Sequence, residues 1–462
     1  MTTSGGSAVI AAQELVEQAL ALSTVDEAMV LVTDASEASL RWAGNSMTTN
    51  GVSTSRSWTV LSVIRSDDGS ARVGAVTSSS VDADAIVDVV RASESAARSA
   101  QPAEDAMDLL TGGAPDAGWA DAPAATGVGV FETLVPGLAD GFDGADRLYG
   151  FAHHQMHSTW LGTSTGIRRR FTQPTGSIEI NGKRGDASAW VGSAGLDFTD
   201  VSVPDLLSDL SRRLDWAART VALPAGRYET VLPPSAVSDL MIPLMWAMEG
   251  RGAQEGHTAL SRSGGTRVGE KLTDIPLTLY SDPRADRLAY TPFVATTGSS
   301  DTVSVFDNGM DADRVDWIRD GVINALAYPR AAAAEFGAPV AVPGDNLLLS
   351  GGSAATLDDL VAGTERGLLL TTLWYIREVD PTTALLTGLT RDGVYLIEDG
   401  AVTAAVNNFR FNESPLDLLR RVTEVGATEH TLPREWKDWF TRTAMPPMRI
   451  PDFHMSSVSQ AQ

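Results

Sequence analysis

The sequence predicts an α+β protein of two domains, in which helices are combined with antiparallel strands. Three runs rich in β-forming residues, 28–34, 39–45 and 57–65, precede a helical pattern at 81–100. The composition changes near 222–236, which indicates a boundary between domains 1–225 and 226–462. Asp-Gly turns then separate short apolar runs in the second half, at Asp392-Gly393 and Asp399-Gly400, and they predict a β-meander.

The other elements of the first domain follow from periodicity and from capping residues. Apolar residues at helical spacing predict a first helix at 7–22. Residues 101–126 are rich in Ala, Pro, Gly and Asp, and they predict a long surface loop. Beyond this loop we expect a short helix at 127–139, strands at 147–162 and 171–192, and a helix at 204–220 capped by Ser202.

The second domain is expected to begin with a helix and to carry another helix after the β-meander. A helix is predicted from about Pro234 to Gly250, and a second one at 415–426 follows Ser414 as its cap. The longest apolar run, 240–248, is about half the roughly 20 residues that a bilayer span needs, so we expect no membrane helix.

Charge and composition restrict the partners. The chain of 462 residues carries a formal net charge of −24, and an acidic surface repels nucleic acid and anionic lipid. It contains no cysteine, which excludes disulfides and thiolate metal ligands. The N-terminus shows no secretory signal pattern. We therefore expect a cytoplasmic protein that binds neither nucleic acid nor membranes.

Three of the six histidines, His153, His154 and His157, lie together in FAHHQMHS (151–158). On a helix, His153 and His157 would share a face and could bind one metal ion. The flanking aromatic and β-branched residues predict a strand, on which the two lie roughly 13 Å apart and His154 faces the other way. We interpret all three as strand histidines that face solvent or a neighbouring strand.

Two further candidates for catalysis are weak. Gly162–Gly166 matches the G-x-S-x-G pattern of a nucleophilic serine, but a helix would have to follow Ser164. The residues that follow predict a turn into a strand, so a hairpin turn is the better interpretation. His257 lies near Glu249 and Glu255, but no H-E-x-x-H pattern supports a metal site there.

Three stretches together resemble a known family. They are SLRWAGNSMTTNG with RVGAVTSSSVDADAIVDVVRASESAAR, then YETVLPPSAVSDLMIPLMWAMEG, and finally the run from LLLTTLWYIREVD to NNFRFNESPLDLL, closing on PPMRIPDFHMSSVS. The chain resembles the TldD/PmbA family of modulator-of-gyrase metalloproteases, and most of all the non-metal TldE/PmbA side in its actinobacterial TldD-related branch. The resemblance implies a mixed α/β N-terminal domain and a β-rich C-terminal domain with a curved antiparallel sheet.

The resemblance also implies where a metal would be bound. Catalytic members of the family carry H-E-x-x-x-H on the helix that opens the C-terminal domain, and a later cysteine completes the site. Here residues 234–248 of that helix contain neither histidine nor glutamate, and Ile242, Pro243, Trp246 and Ala247 stand about where ligands and base are expected. Because zinc needs about three protein ligands, we expect no metal in this chain and zinc or a similar divalent ion in a partner subunit.

By the same resemblance, the chain is expected to be the non-catalytic subunit of a heterodimeric metalloprotease with a TldD-like catalytic partner. It would bind unstructured peptides or small unfolded proteins, which can add a strand to an exposed sheet edge. Arg377 in 374–380, and Asn408 and Arg410 in 407–412, are the candidate peptide-binding residues. Two alternatives remain open: a self-sufficient homodimeric metallopeptidase or hydrolase, and a peptide-binding regulatory module.

Overall fold

The computed structural model describes residues 10–459, apart from the side chain of Ala83, and it has the α+β architecture that the sequence predicts. The elements up to residue 216 are, in chain order, α1 (Ala12–Leu22), β1 (Glu27–Ala43), β2 (Met47–Arg65), β3 (Ala71–Ser78), α2 (Ala83–Ser99), a 3₁₀ helix (Val128–Phe131), α3 (Val135–Phe142), β4 (Arg147–Thr163), β5 (Arg168–Arg184), β6 (Ala187–Gly195) and α4 (Val203–Trp216). The later elements are β7 (Thr220–Val221), β8 (Gly226–Leu232), α5 (Pro234–Trp246), α6 (Gly250–Glu255), β9 (Ser261–Arg262), β10 (Gly265–Thr266), β11 (Thr278–Ser281), a 3₁₀ helix (Val305–Asp307), β12 (Val315–Arg319), β13 (Val322–Ile323), α7 (Arg330–Phe336), β14 (Asn346–Ser350), α8 (Leu357–Ala362), β15 (Arg366–Leu370), β16 (Leu373–Asp380), β17 (Leu385–Thr390), β18 (Val394–Glu398), β19 (Ala401–Val406), β20 (Phe409–Glu413), α9 (Pro415–Arg421), β21 (Glu424–Val425), β22 (Glu429–Thr431), β23 (Arg442–Met445) and β24 (Met448–Val458).

The first half is built on one antiparallel sheet of six strands, in the order β3-β2-β1-β4-β5-β6. Side chains alternate between the faces of a strand. Val30, Val32 and Leu40 of β1 therefore lie on the face that packs against the helices. Met29 and Leu31 lie on the opposite face, in a core shared with Phe293 and Phe306 of the second half.

The second half contains a ten-stranded sheet and a separate six-stranded sheet, with α5 between them. The larger sheet follows the order β16-β17-β20-β24-β8-β15-β18-β19-β7, with β21 on β24, and the smaller one the order β13-β12-β11-β14-β23-β22. Helix α5 packs against β8 and β16 of the larger sheet and β22 and β23 of the smaller one. Ten of its 13 residues are buried, which explains why the helix is apolar on nearly all sides.

The strand predictions need correction in two places. The predicted strands 28–34 and 39–45 are one strand, β1, because the polar stretch between them is paired on both sides by β2 and β4. Within that stretch Ser36 and Ala38 are buried and Glu37 points outward, so the alternation is unbroken. Strand β3, which the sequence analysis did not predict, pairs with β2 along its whole length.

Residues 101–126 contain no helix or strand and are mostly exposed, as predicted for a long surface loop, but the loop is anchored to the sheet. The carbonyl of Trp119 accepts a hydrogen bond from Trp160 Nε1 at 3.0 Å, and the Ala124 N–H donates to Ser158 Oγ at 3.0 Å. Leu109 is buried. The segment therefore supplies hydrogen-bond partners to buried polar groups of β4.

Several helices end earlier than predicted. Helix α4 ends at Trp216, α5 at Trp246 and α9 at Arg421. The predicted Ser202 cap is confirmed, because Ser202 Oγ accepts from the Asp205 N–H at 3.3 Å. Ser414 is not a side-chain cap, since its hydroxyl donates instead to the carbonyl of Thr383 at 2.9 Å.

The predicted boundary at 225/226 lies between two strands of one sheet, because β7 precedes it and pairs with β19. Among the described residues, no helix is both long enough and apolar enough to cross a bilayer.

Candidate functional site

Helix α5 contains a proline, and this proline creates a site for a tryptophan. Pro243 has no N–H, so the carbonyl of Asp239, four residues earlier, lacks its helical hydrogen bond. The indole Nε1–H of Trp436 donates to this carbonyl at 2.9 Å. This hydrogen bond holds the segment around Trp436 against the last turns of α5. The rings of Trp246 and Trp436 also pack edge to face, with their centres 4.9 Å apart.

The side chain of Asp239 supports the same segment from inside the core. It is almost completely buried, and its carboxylate accepts the N–H groups of Glu435 at 2.9 Å and Arg434 at 3.3 Å. Burial raises the pKa of Asp239 well above its ordinary value, more than these two hydrogen bonds lower it. Asp239 is therefore a structural acceptor for the segment and faces the core.

Glu435 extends this network to strand β16. Its carboxylate accepts the N–H groups of Tyr375 and Ile376, both at 3.1 Å, and lies 3.3 Å from Arg377 Nη1. The two N–H groups belong to a bulge in β16, where Tyr375 has a positive φ of 52°. A carboxylate that accepts two backbone N–H groups fixes the conformation of such a bulge.

These elements enclose a cleft of about 650 Å³, which we call the tryptophan cleft. Its aromatic walls are Trp246, Trp436 and Trp439, and the end of α5 contributes Pro243 and Ala247. The charged groups of its walls are Glu249, Arg377, Glu378 and Glu435. Its volume is in the usual range for ligand-binding clefts.

The cleft is electrostatically negative. Burial raises the pKa of Glu249, and the nearby carboxylates of Asp301, Glu378 and Glu255 raise it further. Burial and Asp380 raise the pKa of Glu378. Arg377, the cationic residue of the walls, is directed to Glu435. Within residues 10–459, no hydrogen bond or ion pair to the carboxylate of Glu249 or Glu378 is found.

Strand β16 lies beside the cleft and is the last strand on its side of the ten-stranded sheet. It pairs with β17, and in the described part of the chain no strand covers its other edge from Arg377 to Asp380. Glu378 lies opposite Leu386 in the register, and both residues line the cleft. An extended segment could therefore pair with this edge and place side chains in the cleft.

The predicted peptide-binding residues are only partly brought together. Arg377 lies on the exposed edge strand and in the wall of the cleft. Arg410 lies on β20, whose two edges pair with β17 and β24, so strand addition there is not possible. Asn408 precedes β20, and its carbonyl accepts the N–H of Ser459.

Four residues of and just after α5 stand where the resemblance places metal ligands and the catalytic base. Pro243, Trp246 and Ala247 line the cleft, and Ile242 is completely buried in the core. These side chains offer no metal ligand, and among the described residues no three His, Asp or Glu side chains lie close enough together to bind one ion. The residues present at this position therefore do not fit the zinc site of a metallopeptidase.

The histidines of β4 have other partners. His153 and His157 lie on either side of Glu37, with Nε2 to carboxylate distances of 3.5 and 3.9 Å. His154 faces the opposite side, is buried, and bonds to Thr126 Oγ1 at 2.7 Å and to the Leu196 carbonyl at 3.0 Å. The strand predicted for these residues is confirmed.

Ser164 and His257 also have local partners. Ser164 lies in the turn between β4 and β5, where its Oγ accepts the Ala28 N–H at 3.0 Å. The hairpin predicted there is confirmed, and no helix follows the serine. His257 is exposed and lies 3.5 Å from Glu255.

Sequence reasoning missed the residues that give the cleft its character: Trp436, Trp439, Glu378 and Glu435. The signal available was PREWKDWF (433–440), in which two tryptophans occur among charged residues. Such a pattern is unusual for a surface segment, because large aromatic side chains are seldom exposed without a role.

The C-terminal half matches a protein-family model described as the PmbA/TldA metallopeptidase C-terminal domain, over residues 225–457. The match spans half of the chain, and the chain belongs to the TldD/PmbA family. Comparison with curated protein sequences gives no match.

Solved structures share the whole fold. TldE from Thermococcus kodakarensis is similar with a TM-score of 0.76 and 16% identity, covering 96% of this chain and 99% of that one. A proposed modulator of DNA gyrase from Bacteroides thetaiotaomicron has a TM-score of 0.75 and 17% identity, with coverage of 96% and 99%. A third, from Thermotoga maritima and described in the same way, has a TM-score of 0.75 and 14% identity, with coverage of 96% and 99%.

Proposed function

We propose that this chain is the substrate-binding, metal-free subunit of a heterodimeric peptidase, of the TldE/PmbA type. Its partner is a TldD-like chain that carries the metal and cuts small unfolded proteins or peptides. The tryptophan cleft and the edge of β16 hold the substrate in this assembly. The catalytic partner is inferred from the resemblance described above. The assignment of the metal to that partner is inferred from the side chains of this chain, which offer no set of metal ligands at the corresponding helix.

The observation that carries the proposal is the chemistry of α5 where it meets the cleft. A metallopeptidase needs about three ligands and a carboxylate that takes a proton from the bound water. Pro243, Trp246 and Ala247 provide none of these groups. Asp239, the one acid of the helix, is engaged with the backbone of Arg434 and Glu435.

The edge of β16 supports a role in binding peptides. Main-chain hydrogen bonds to a strand edge bind extended chains with little dependence on sequence. A ligand that pairs with this edge must have free backbone N–H and C=O groups. Unstructured chains have such groups, whereas most of the backbone of a folded protein is already hydrogen-bonded. The three tryptophans beside the edge add apolar contact area for side chains.

The test is to express this chain alone and together with a relative from the same host that carries H-E-x-x-x-H. Each sample is analysed for zinc and assayed for cleavage of an unfolded, fluorescently quenched peptide. We expect substoichiometric zinc and no cleavage for this chain alone. With the partner we expect co-purification in a 1:1 ratio, one zinc per heterodimer, and cleavage.

Each alternative predicts a different result. Stoichiometric zinc with cleavage by this chain alone would identify a self-sufficient peptidase and overturn the proposal. Peptide binding without recovery of any metal-bearing relative would favour a regulatory module. A useful variant is Trp246→Ala, which should weaken peptide binding in the heterodimer while zinc content remains at one. Trp119→Phe, remote from the cleft, is the matched control; it keeps the backbone carbonyl that accepts from Trp160.

A further inference from the structure

The tryptophan cleft exposes an unusual amount of aromatic surface. The exposed fraction is 43% for Trp246 and 83% for Trp439, and Tyr375 and Val379 on the adjacent strand are 57% and 59% exposed. The face of an indole ring attracts cations because it is the negative end of the ring quadrupole. Elsewhere in the described chain arginines already cover tryptophans, as Arg434 does at 4.7 Å from the Trp374 ring centre. No such cation–π contact is found for Trp246, Trp436 or Trp439 within residues 10–459.

Two of the carboxylates in the same cleft, those of Glu249 and Glu378, have no ion pair within the described residues. Arg377 is directed to Glu435 instead. Arg251, the cationic residue of α6, pairs with Glu335 and Glu255. An entirely apolar ligand would remove water from Glu249 and Glu378 without replacing it, which is unfavourable.

We infer that the tryptophan cleft recognises an organic cation on an extended peptide, a lysine or arginine side chain, beside the edge of β16. This inference rests on the proposed peptide-binding function and adds the substrate class. The indole rings contact the alkyl stem and the charged end, and Glu249 and Glu378 receive the charge. A metal ion is the poorer occupant, because the described residues offer no three-ligand group.

The edge strand determines how many side chains can enter. Successive residues of a strand point to opposite sides, so residues of one parity face the cleft at a spacing of roughly 6.5 Å. A peptide paired with β16 therefore presents one basic residue to the aromatic walls, while its neighbours point away. The expected preference is for one basic position in an otherwise tolerant sequence.

The test measures binding of fluorescein-labelled heptapeptides by anisotropy, using the full chain and, where it is obtained, the heterodimer. The peptides share a Gly/Ser/Ala background, acetylated and amidated ends, and a central Lys, Arg, norleucine or Glu. We expect the Lys and Arg peptides to bind on the order of tenfold more tightly than the norleucine peptide. The preference should decrease as salt is raised, because it is electrostatic.

Matched variants assign the effect to the cleft. Glu249→Gln and Glu378→Gln keep the shape of the side chains, and each should reduce the preference for Lys over norleucine by about threefold or more. Binding of the norleucine peptide should not change. Glu132→Gln, an exposed residue of the first half, is the control and should leave all affinities unaltered. Thermal melting of each variant verifies that it is folded.

The outcomes separate the inference from the function on which it rests. Equal affinity for the Lys and norleucine peptides would overturn the cation preference and leave peptide binding intact. Failure of every peptide to bind would overturn both. A norleucine peptide with a free N-terminus that binds as tightly as the Lys peptide would overturn the assignment to a lysine or arginine side chain, because the terminal ammonium group would then be recognised equally well.

Discussion

The indole Nε1–H of Trp436 donates to the backbone carbonyl of Asp239 at 2.9 Å, where Pro243 leaves that carbonyl without a helical partner. A residue 197 positions later in the chain thus completes the hydrogen bonding of α5. The same contact sets the position of one aromatic wall of the cleft. Stability of the helix and geometry of the cleft are therefore coupled.

Trp436→Phe should destabilise the protein by about 1–3 kcal/mol, because a buried carbonyl loses its donor. In a Pro243→Ala background the loss should be smaller, since the N–H of residue 243 can then donate to Asp239. Urea unfolding of the two single variants and the double variant measures this coupling.

The control for this cycle is Trp439→Phe, because Trp439 is largely exposed and does not bond to Asp239. We expect a change within about 0.5 kcal/mol for it. An equal loss from Trp436→Phe in both backgrounds would contradict the role assigned to the proline.

Asp239 should make stability depend on pH. Its pKa is raised in the folded state by burial, so the folded protein retains a proton that the unfolded chain releases near the ordinary value of 3.8. The free energy of unfolding therefore decreases as pH rises above this value toward the raised pKa. Asp239→Asn retains an acceptor oxygen and should flatten this part of the profile.

Urea unfolding between pH 5 and 8 is measured for Asp239→Asn and for the original chain. The contributions of all other titrating groups cancel in the difference between the two profiles. Asp239→Ala, which leaves the Arg434 and Glu435 N–H groups without their acceptor, should lose about 1–3 kcal/mol at pH 5. The loss relative to the original chain should become smaller as pH rises, because the original chain itself then loses stability. Asp140→Asn on the surface of α3 is the control. Parallel profiles for the original chain and Asp239→Asn would refute the assignment of the proton.

Strand addition at β16 predicts an alternating response to N-methylation of a bound peptide. In an antiparallel pair only every second residue donates its N–H across a given edge. Methylating residues of one parity in the Lys heptapeptide should weaken binding, by about 0.5–1.5 kcal/mol for each lost hydrogen bond. Methylating the other parity should be tolerated, and anisotropy measures both. Equal losses for the two sets would argue against pairing with the strand edge.

The fold class could be predicted from local sequence patterns. The length of strand β1 and the contacts of residues 101–126 with the sheet could not. The segment ASEAS in β1 has a composition typical of a turn, and it is a strand because β2 and β4 pair with it on both sides. Likewise, residues 101–126 have loop composition, yet they bond to Ser158 and Trp160 of β4. Both features are determined by contacts with residues distant in sequence, and a local sequence pattern contains no information about such contacts.

The cleft shows the same division. The apolar character of α5 was evident from the sequence, and so was the absence of metal ligands at Pro243, Trp246 and Ala247. The rest of the cleft comes from Glu378, Trp436 and Trp439, which reach it from β16 and from the segment after β22. Their convergence depends on sheet order, which sequence spacing does not encode.

His154 should make the first half less stable in mild acid. Burial lowers its pKa below the ordinary 6.5, so the unfolded chain takes up the proton before the folded one does. The free energy of unfolding therefore falls as pH decreases through about 6.5 toward the lowered pKa, and it is fully regained above 6.5. His154→Gln should show a smaller decrease in melting temperature between pH 7.5 and 5 than the original chain, and a lower value at pH 7.5 because the contacts with Thr126 and Leu196 are altered. The exposed His257→Gln should follow the original chain throughout. If His154→Gln and His257→Gln give the same pH profile, then the burial of His154 does not govern the acid sensitivity of this half.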